Sequence, residues 1–213
     1  MIIERSGIRL VRLTEEFIEL VRQKRNLPEI QKTMEYREHI TPEMQQKWFA
    51  TINNANNYYF LIETHNIFIG LISAAVVDWE KDVVNNAGIF IWNETYLSSP
   101  EIMQASVLLT DFSYYIGMKK IYIRILKDNS KAIAFNISLG YKLLSDQDDV
   151  YNQKYELETP DIYFNATEKI RHQAGINGNI KVFVSQQEYM EFTKYIRLQD
   201  NKYITNITFD VSA

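Results

Sequence analysis

The sequence predicts an α/β (α+β) fold in which helices flank a mixed central sheet, with a small α/β extension at the C-terminal end. Three observations carry this. Strand-like and helix-like hydrophobic periods follow one another in the order βααβββαβαββ, which mixes runs of strands with two βα units. Only 7 Gly and 4 Pro occur in 213 residues, so most of the chain belongs to regular structure. The pattern changes character after Thr159-Pro160, dividing a main domain, residues 1–158, from an extension, residues 159–213.

Each element has a local signature. Residues 8–13 alternate Ile8, Leu10 and Leu13 with Arg9 and Arg12, as a strand with one buried face does. Thr14 followed by Glu15 and Glu16 predicts a capped helix through Phe17, Ile18, Leu20 and Val21, ending near Asn26 and Pro28. Thr41-Pro42-Glu43 starts the next helix, with Pro in its first turn and Met44, Trp48, Phe49 and Ile52 as the apolar stripe. Residues 58–63 and 67–77 form a hairpin around Thr64-His65-Asn66, and residues 78–82 a polar turn. Residues 86–92 are a fourth strand interrupted by Gly88. A helix opens at Pro100 and closes at Gly117; residues 120–126 are the fifth strand. Asp128 is the expected cap of a helix that Gly140 ends, and residues 141–144 and 150–157 complete the main sheet. In the extension, residues 162–172 read as helix, 180–184 as strand, 187–196 as helix and 203–211 as strand.

Composition bounds the function. A net charge of -4 without any Lys/Arg block argues against a nucleic-acid partner. The absence of cysteine excludes disulfides, thiolate metal sites and a Cys nucleophile, and fits a cytoplasmic protein. Three scattered histidines, 39, 65 and 172, give no metal-ligand spacing, so no metal is expected. Residues 1–10 carry Glu4, Arg5 and Arg9 and do not read as a signal peptide, and no apolar run approaches the roughly 18 residues of a membrane span.

Two stretches make the element order recognisable. Arg25-Asn26 precedes Thr41-Pro42-Glu43-Met44-Gln45-Gln46-Lys47-Trp48-Phe49, and Asn129-Ser130-Lys131-Ala132-Ile133 leads to Leu139-Gly140-Tyr141. Together with Ile69-Gly70 and Gly88-Ile89-Phe90-Ile91, they resemble the GNAT N-acetyltransferases. The nearest branch is that of the ribosomal-protein and bacterial amino-sugar-nucleotide acetyltransferases. The resemblance implies that the fourth and fifth strands splay apart and that acetyl-CoA lies in the gap. Its pantetheine would follow residues 88–92, placing Ile91 and Trp92 at the cofactor, and its pyrophosphate would meet the helix start at Ser98, Ser99, Ile102 and Met103. By the same resemblance Asn129 contacts the cofactor, although its position equally suits a residue of the helix start beside Asp128.

Three departures from the family pattern matter. The pyrophosphate loop, Tyr96 to Ala105, has neither glycine nor a basic residue, and its Glu101 repels phosphate. Asn136 stands where many members place a proton-donating Tyr, leaving Tyr141 and Tyr115 as substitutes or as plain packing. Asn86 stands where a basic Glu is common, leaving Asp78 or Glu94 to act through water. Acceptor contacts are expected from Met34, Tyr36, Ile40 and Trp48 between the first two helices, with core packing the plainer role for Trp48.

The expected reaction is direct acetyl transfer to a small-molecule primary amine, foremost that of a nucleotide sugar, with a protein N-terminus or a small polyamine as alternatives. A degenerate, non-catalytic binding module is the rival reading. The extension holds too many apolar residues for a solvated tail, so it is expected to dock on the main domain or on a second subunit of a homodimer and to wall the acceptor cleft.

Overall fold

Ser6 and Gly7 both take positive φ, 53° and 82°, and this two-residue turn folds the N-terminus into a hairpin of β1 (Ile2–Arg5) and β2 (Ile8–Arg12). The first of these strands is additional to the sequence expectation, which began at residue 8. The computed structural model of the protein describes residues 1–196 and 207–212. After β2, Thr14 makes no side-chain cap; a short 3-10 turn, Glu15–Phe17, leads instead into α1 (Ile18–Arg25). The one-turn α2 (Pro28–Gln31) follows, then α3 (Pro42–Ile52), whose start Thr41 does cap by accepting the Met44 N–H at 3.3 Å.

The strands β3 (Tyr58–Thr64) and β4 (Ile67–Asp78) turn at His65 and Asn66, both at positive φ. The next strand, β5 (Val83–Ile91), begins three residues before its expected start. It is followed by α4 (Pro100–Tyr115), β6 (Lys120–Leu126), α5 (Ser130–Ser138), the short β7 (Lys142–Leu143) and β8 (Asn152–Leu157). The extension supplies α6 (Pro160–Gln173), β9 (Ile180–Ser185), α7 (Gln186–Phe192) and β10 (Ile207–Ser212). The part of the expected last strand before residue 207 lies outside the described residues.

The ten strands among the described residues join one sheet in the order β10-β9-β1-β2-β3-β4-β5-β6-β8-β7. It is antiparallel except at β5/β6 and β9/β10. One face packs on α4, α5, α6 and α7 through a core that includes Ile3, Leu10, Phe60, Leu108, Tyr163 and Phe192. The other face packs on α1 to α3 through Leu13, Val21, Phe49, Leu61, Leu71 and Trp92.

The extension is part of this sheet, because β9 pairs antiparallel with β1. A buried ionic knot holds it. Asp111 of α4, 1% exposed, accepts from Arg5 of β1 at 2.6 Å, from Arg171 of α6 at 2.5 and 2.8 Å, and from the Tyr163 hydroxyl at 2.8 Å. Burial, and then the Asp111 charge, pushes the Tyr163 phenol far above its ordinary value, so it remains a donor. One carboxylate thus neutralises two guanidinium groups. Removing it in Asp111→Ala leaves two buried cations facing each other, which costs about 3–5 kcal/mol. The expected outcome is a drop in melting temperature of about 10 °C. A shift below about 3 °C in a thermal melt would show that the knot is incidental.

Candidate active site between β5 and β6

The site begins with a mismatch in strand length. Val84 pairs with Ile121 and Ala87 with Ile123, so Asn85 and Asn86 stand against Tyr122 alone. This is a β-bulge, and beyond Ala87 the β5/β6 ladder does not continue. The bulge is clamped from β4. Val76 sits at φ 53°, a costly conformation for a β-branched residue, with its N–H donated to Asn57 Oδ1 at 3.0 Å and its carbonyl accepting from Asn85 Nδ2 at 3.0 Å. Asn57, Val76 and Asn85 were not singled out from the sequence. The available signal was the Asn85-Asn86 pair inside a strand, where Asn is depleted.

Past the bulge, β5 keeps its pairing with β4. Trp92 donates its backbone N–H to the Ile69 carbonyl at 3.0 Å, in register with the Phe90/Leu71 and Gly88/Ser73 pairs. Alternation along the strand therefore turns the N–H and C=O of Ile89 and Ile91 toward the open side. Gly70, opposite Ile91, makes the close approach possible, since a Cβ there would lie 2.6 Å from the Phe90 carbonyl oxygen.

The opening is a cleft of about 810 Å³. Its floor is one face of α4, formed by Ile102, Ser106, Leu109, Thr110 and Ser113. β5 and β6 supply the walls, α5 supplies Asn129, Ala132, Phe135 and Asn136, and Tyr141 closes the inner end. On the far side lie residues of α2 and the loop after it, Glu29, Ile30, Lys32, Thr33, Met34 and Glu35. That loop is anchored at both ends. Asn26 brackets Ile40, accepting its N–H at 2.8 Å and donating to its carbonyl at 2.9 Å. Across the mouth, Asn152 donates to Glu35 at 2.8 Å, and Arg37 donates to the Tyr151 hydroxyl, which donates to Asp128.

Of the residues singled out from the sequence, Ile91, Trp92, Glu94, Ser98, Ile102, Asn129, Asn136 and Met34 line this cleft. Others do not. Asp78 sits in the turn after β4, where the Lys81 backbone N–H and then its ammonium hold the carboxyl below its ordinary value; it is a poor proton acceptor in the wrong place. Ser99 and Met103 lie beside the lining, Met103 packed on the core. Tyr36 is exposed to solvent, and Trp48 packs edge-on against Tyr59 at 5.2 Å, behind the wall that Tyr59 contributes. Asn129, rather than Asp128, caps α5, with Oδ1 accepting the Ala132 N–H at 3.1 Å. The Asn136 amide donates to Ala132 O at 2.8 Å within its own helix. Burial pushes the Tyr141 phenol well up, so it remains protonated at any physiological pH. Tyr115 is not in the lining, and neither are the described residues of the extension. β9 joins the sheet at β1, four strands away from β5.

A sequence profile of the GNAT acetyltransferase domain matches residues 7–142. The chain belongs to the GNAT acetyltransferase family. Solved structures agree in fold. The nucleotide-linked sugar GNAT FdhC superposes with a TM-score of 0.65 at 18% identity, over 83% of this chain and 99% of FdhC. Spermidine N-acetyltransferase from Vibrio cholerae, bound to CoA and spermine, gives 0.60 at 15% identity, over 75% and 99%. The ribosomal L7/L12 α-N-protein acetyltransferase RimL, bound to CoA, gives 0.62 at 17%, over 73% and 96%. Among curated proteins no sequence matches. Among the described residues no helix is long and apolar enough to cross a membrane, and no cluster of His, Asp or Glu could hold a metal ion.

This GNAT chain is an N-acetyltransferase, and acetyl-CoA is its co-substrate. When bound, acetyl-CoA would supply an acyl group activated as a thioester. The residues present suit it. The open edges of Ile89 and Ile91 offer amide groups, and α4 starts without a side-chain cap, leaving first-turn N–H groups for phosphate. The hydroxyls of Ser99 and Ser106 are buried without a partner among the described residues. One group opposes this: Glu101, in the first turn of α4, keeps a buried carboxylate oxygen without a partner. Relieving that repulsion in Glu101→Gln is expected to tighten acetyl-CoA about fivefold, or ~1 kcal/mol. Calorimetry checks this, and unchanged affinity would place the phosphates elsewhere.

Proposed function

We propose that the enzyme acetylates the primary amine of an amino-sugar nucleotide by direct attack within a ternary complex. The observation that carries this reading is the two-sided cleft. Its β5/β6 and α4 side suits the cofactor, its α2 side suits the acceptor, and the bulge lies where they meet. A chain without cysteine offers no thiol for an acyl-enzyme, which favours direct attack.

Lys32 and Arg124 supply cationic groups for a diphosphate, and Tyr59 and Phe90 supply aromatic faces for the rest of a nucleotide. The likeness to FdhC, described as a nucleotide-linked sugar GNAT, supports the same class. The amine loses its proton through water to Glu94, the lining carboxylate next to β5, since Asn86 at the bulge cannot accept one. The thiolate leaves without a side-chain acid, since burial holds the Tyr141 proton tightly and Asn136 is tied to its own helix. Such a reaction belongs in the cytoplasm, with its pool of acetyl-CoA.

One observation favours a second reading. Glu29, Glu35 and Glu94 all line the cleft, and such carboxylates would suit a small polyamine. An acetyl-transfer assay separates the two. Nucleotide-linked amino sugars are expected to exceed spermidine by at least about a hundredfold in kcat/KM, the discrimination available when buried polar groups are left unpaired by the wrong substrate. Glu94→Gln is expected to lower kcat about a hundredfold with an unchanged affinity for acetyl-CoA. Turnover of spermidine with none of the sugars would reverse the assignment.

A further inference from the structure

We propose that the acyl end of the cleft continues beneath α4 into an apolar cavity, so that the enzyme transfers acyl groups longer than acetyl, with Phe192 of the extension setting the limit. This rests on the acyl-transfer reading of the cleft. A second cavity of about 20 Å³ lies between β3, β4, β5, α4 and α7. It shares Ala74, Val84, Leu109 and Ser113 with the cleft, so the two spaces meet at a common wall. Val84 is the last residue paired to β6 before the bulge, and Ala74 pairs with Ala87 just after it. The junction is therefore at the bulge, where an acyl carbon must sit for the acceptor and the thioester to meet.

The volume is about that of one small group such as a methyl or a water. Its surroundings favour the methyl. The Ser113 hydroxyl is already donated to Leu109 O at 2.8 Å, and the Trp79 indole N–H to Ala55 O at 2.9 Å. Phe60, Val77, Ile116 and Met118 offer a water nothing to bond. The far end is stopped by Phe192, 4% exposed, stacked on Phe112 at 5.8 Å and edge-on to Tyr58 at 6.1 Å. Phe192 lies outside residues 7–142, so the part of the chain beyond the family profile supplies this stop.

The transfer itself is unchanged. The amine nitrogen forms a bond to the acyl carbon, the C–S bond breaks, sulfur leaves with the electron pair, and the nitrogen releases one proton.

Calorimetry on the whole protein with acetyl-, propionyl- and butyryl-CoA, without acceptor, tests this. Propionyl-CoA is expected to bind about fourfold tighter than acetyl-CoA, the value of one buried methylene. Val77 lines only the small cavity, so Val77→Ile is expected to abolish that gain and leave acetyl-CoA affinity unchanged. Phe192→Leu is expected to extend the gain to butyryl-CoA. Thermal melts establish that each variant folds, and Val77→Ile carries the test if Phe192→Leu does not. Propionyl-CoA binding no tighter than acetyl-CoA, or a gain that survives Val77→Ile, overturns the inference and leaves the acetyl-transfer reading intact. Failure of all three thioesters to bind overturns both.

Discussion

β5 carries one residue more than β6 between Val84 and Ala87, and the ladder between them does not resume. The cost of that interruption is a row of unpaired backbone groups in the middle of a ten-stranded sheet. A buried backbone group without a partner is worth roughly 1–3 kcal/mol of lost stability, so an open edge persists only where something else satisfies it. Acetyl-CoA, with amides spaced along an extended arm, is such a partner. The clamp of Asn57 and Asn85 on the strained Val76 keeps the bulge in register, and so holds the cleft open before any ligand arrives.

The sheet on either side of the gap has to be stiff for this to work. β4 holds β5 along nearly its whole length, and Gly70 lets the two backbones approach at the level of Phe90 and Ile91. On the far flank, the extension adds β9 and β10 and ties them to α4 through Asp111. α4 is thus fixed at both faces: it forms the cleft floor on one and holds the Arg5–Asp111–Arg171 knot on the other. Phe192 of the extension lines the small apolar cavity beneath α4.

Much of this was legible from residue patterns. The hairpin at His65-Asn66, the Thr41-Pro42 helix start and the glycine stops at 117 and 140 all follow from local rules, and the structure follows them. β1 went unread although Ser6-Gly7 is a recognised turn pair, because Glu4 and Arg5 interrupt its apolar pattern. The α5 cap was placed one residue early because Asp128 and Asn129 are equally good caps. Asp128 instead receives the Tyr151 hydroxyl from just before the neighbouring strand β8, a contact that no local pattern encodes. The same holds for Asp111, which reads as a charged residue in an apolar helix until Arg5 and Arg171 are brought to it from 106 and 60 residues away. Residues placed by strand and helix order, such as Ile91 and Asn129, do line the cleft, whereas those set by register, Asn85 and Val76, carried no comparable signal.

Backbone hydrogen exchange reads, residue by residue, whether the open edge of β5 receives the cofactor. The N–H groups of Gly88 and Phe90 face β4 and are already bonded, whereas those of Ile89 and Ile91 face the gap. Adding acetyl-CoA is predicted to slow exchange at Ile89 and Ile91 selectively, with little change at Gly88 and Phe90. Saturating acetyl-CoA that leaves Ile89 and Ile91 exchanging at their free rates would contradict the account.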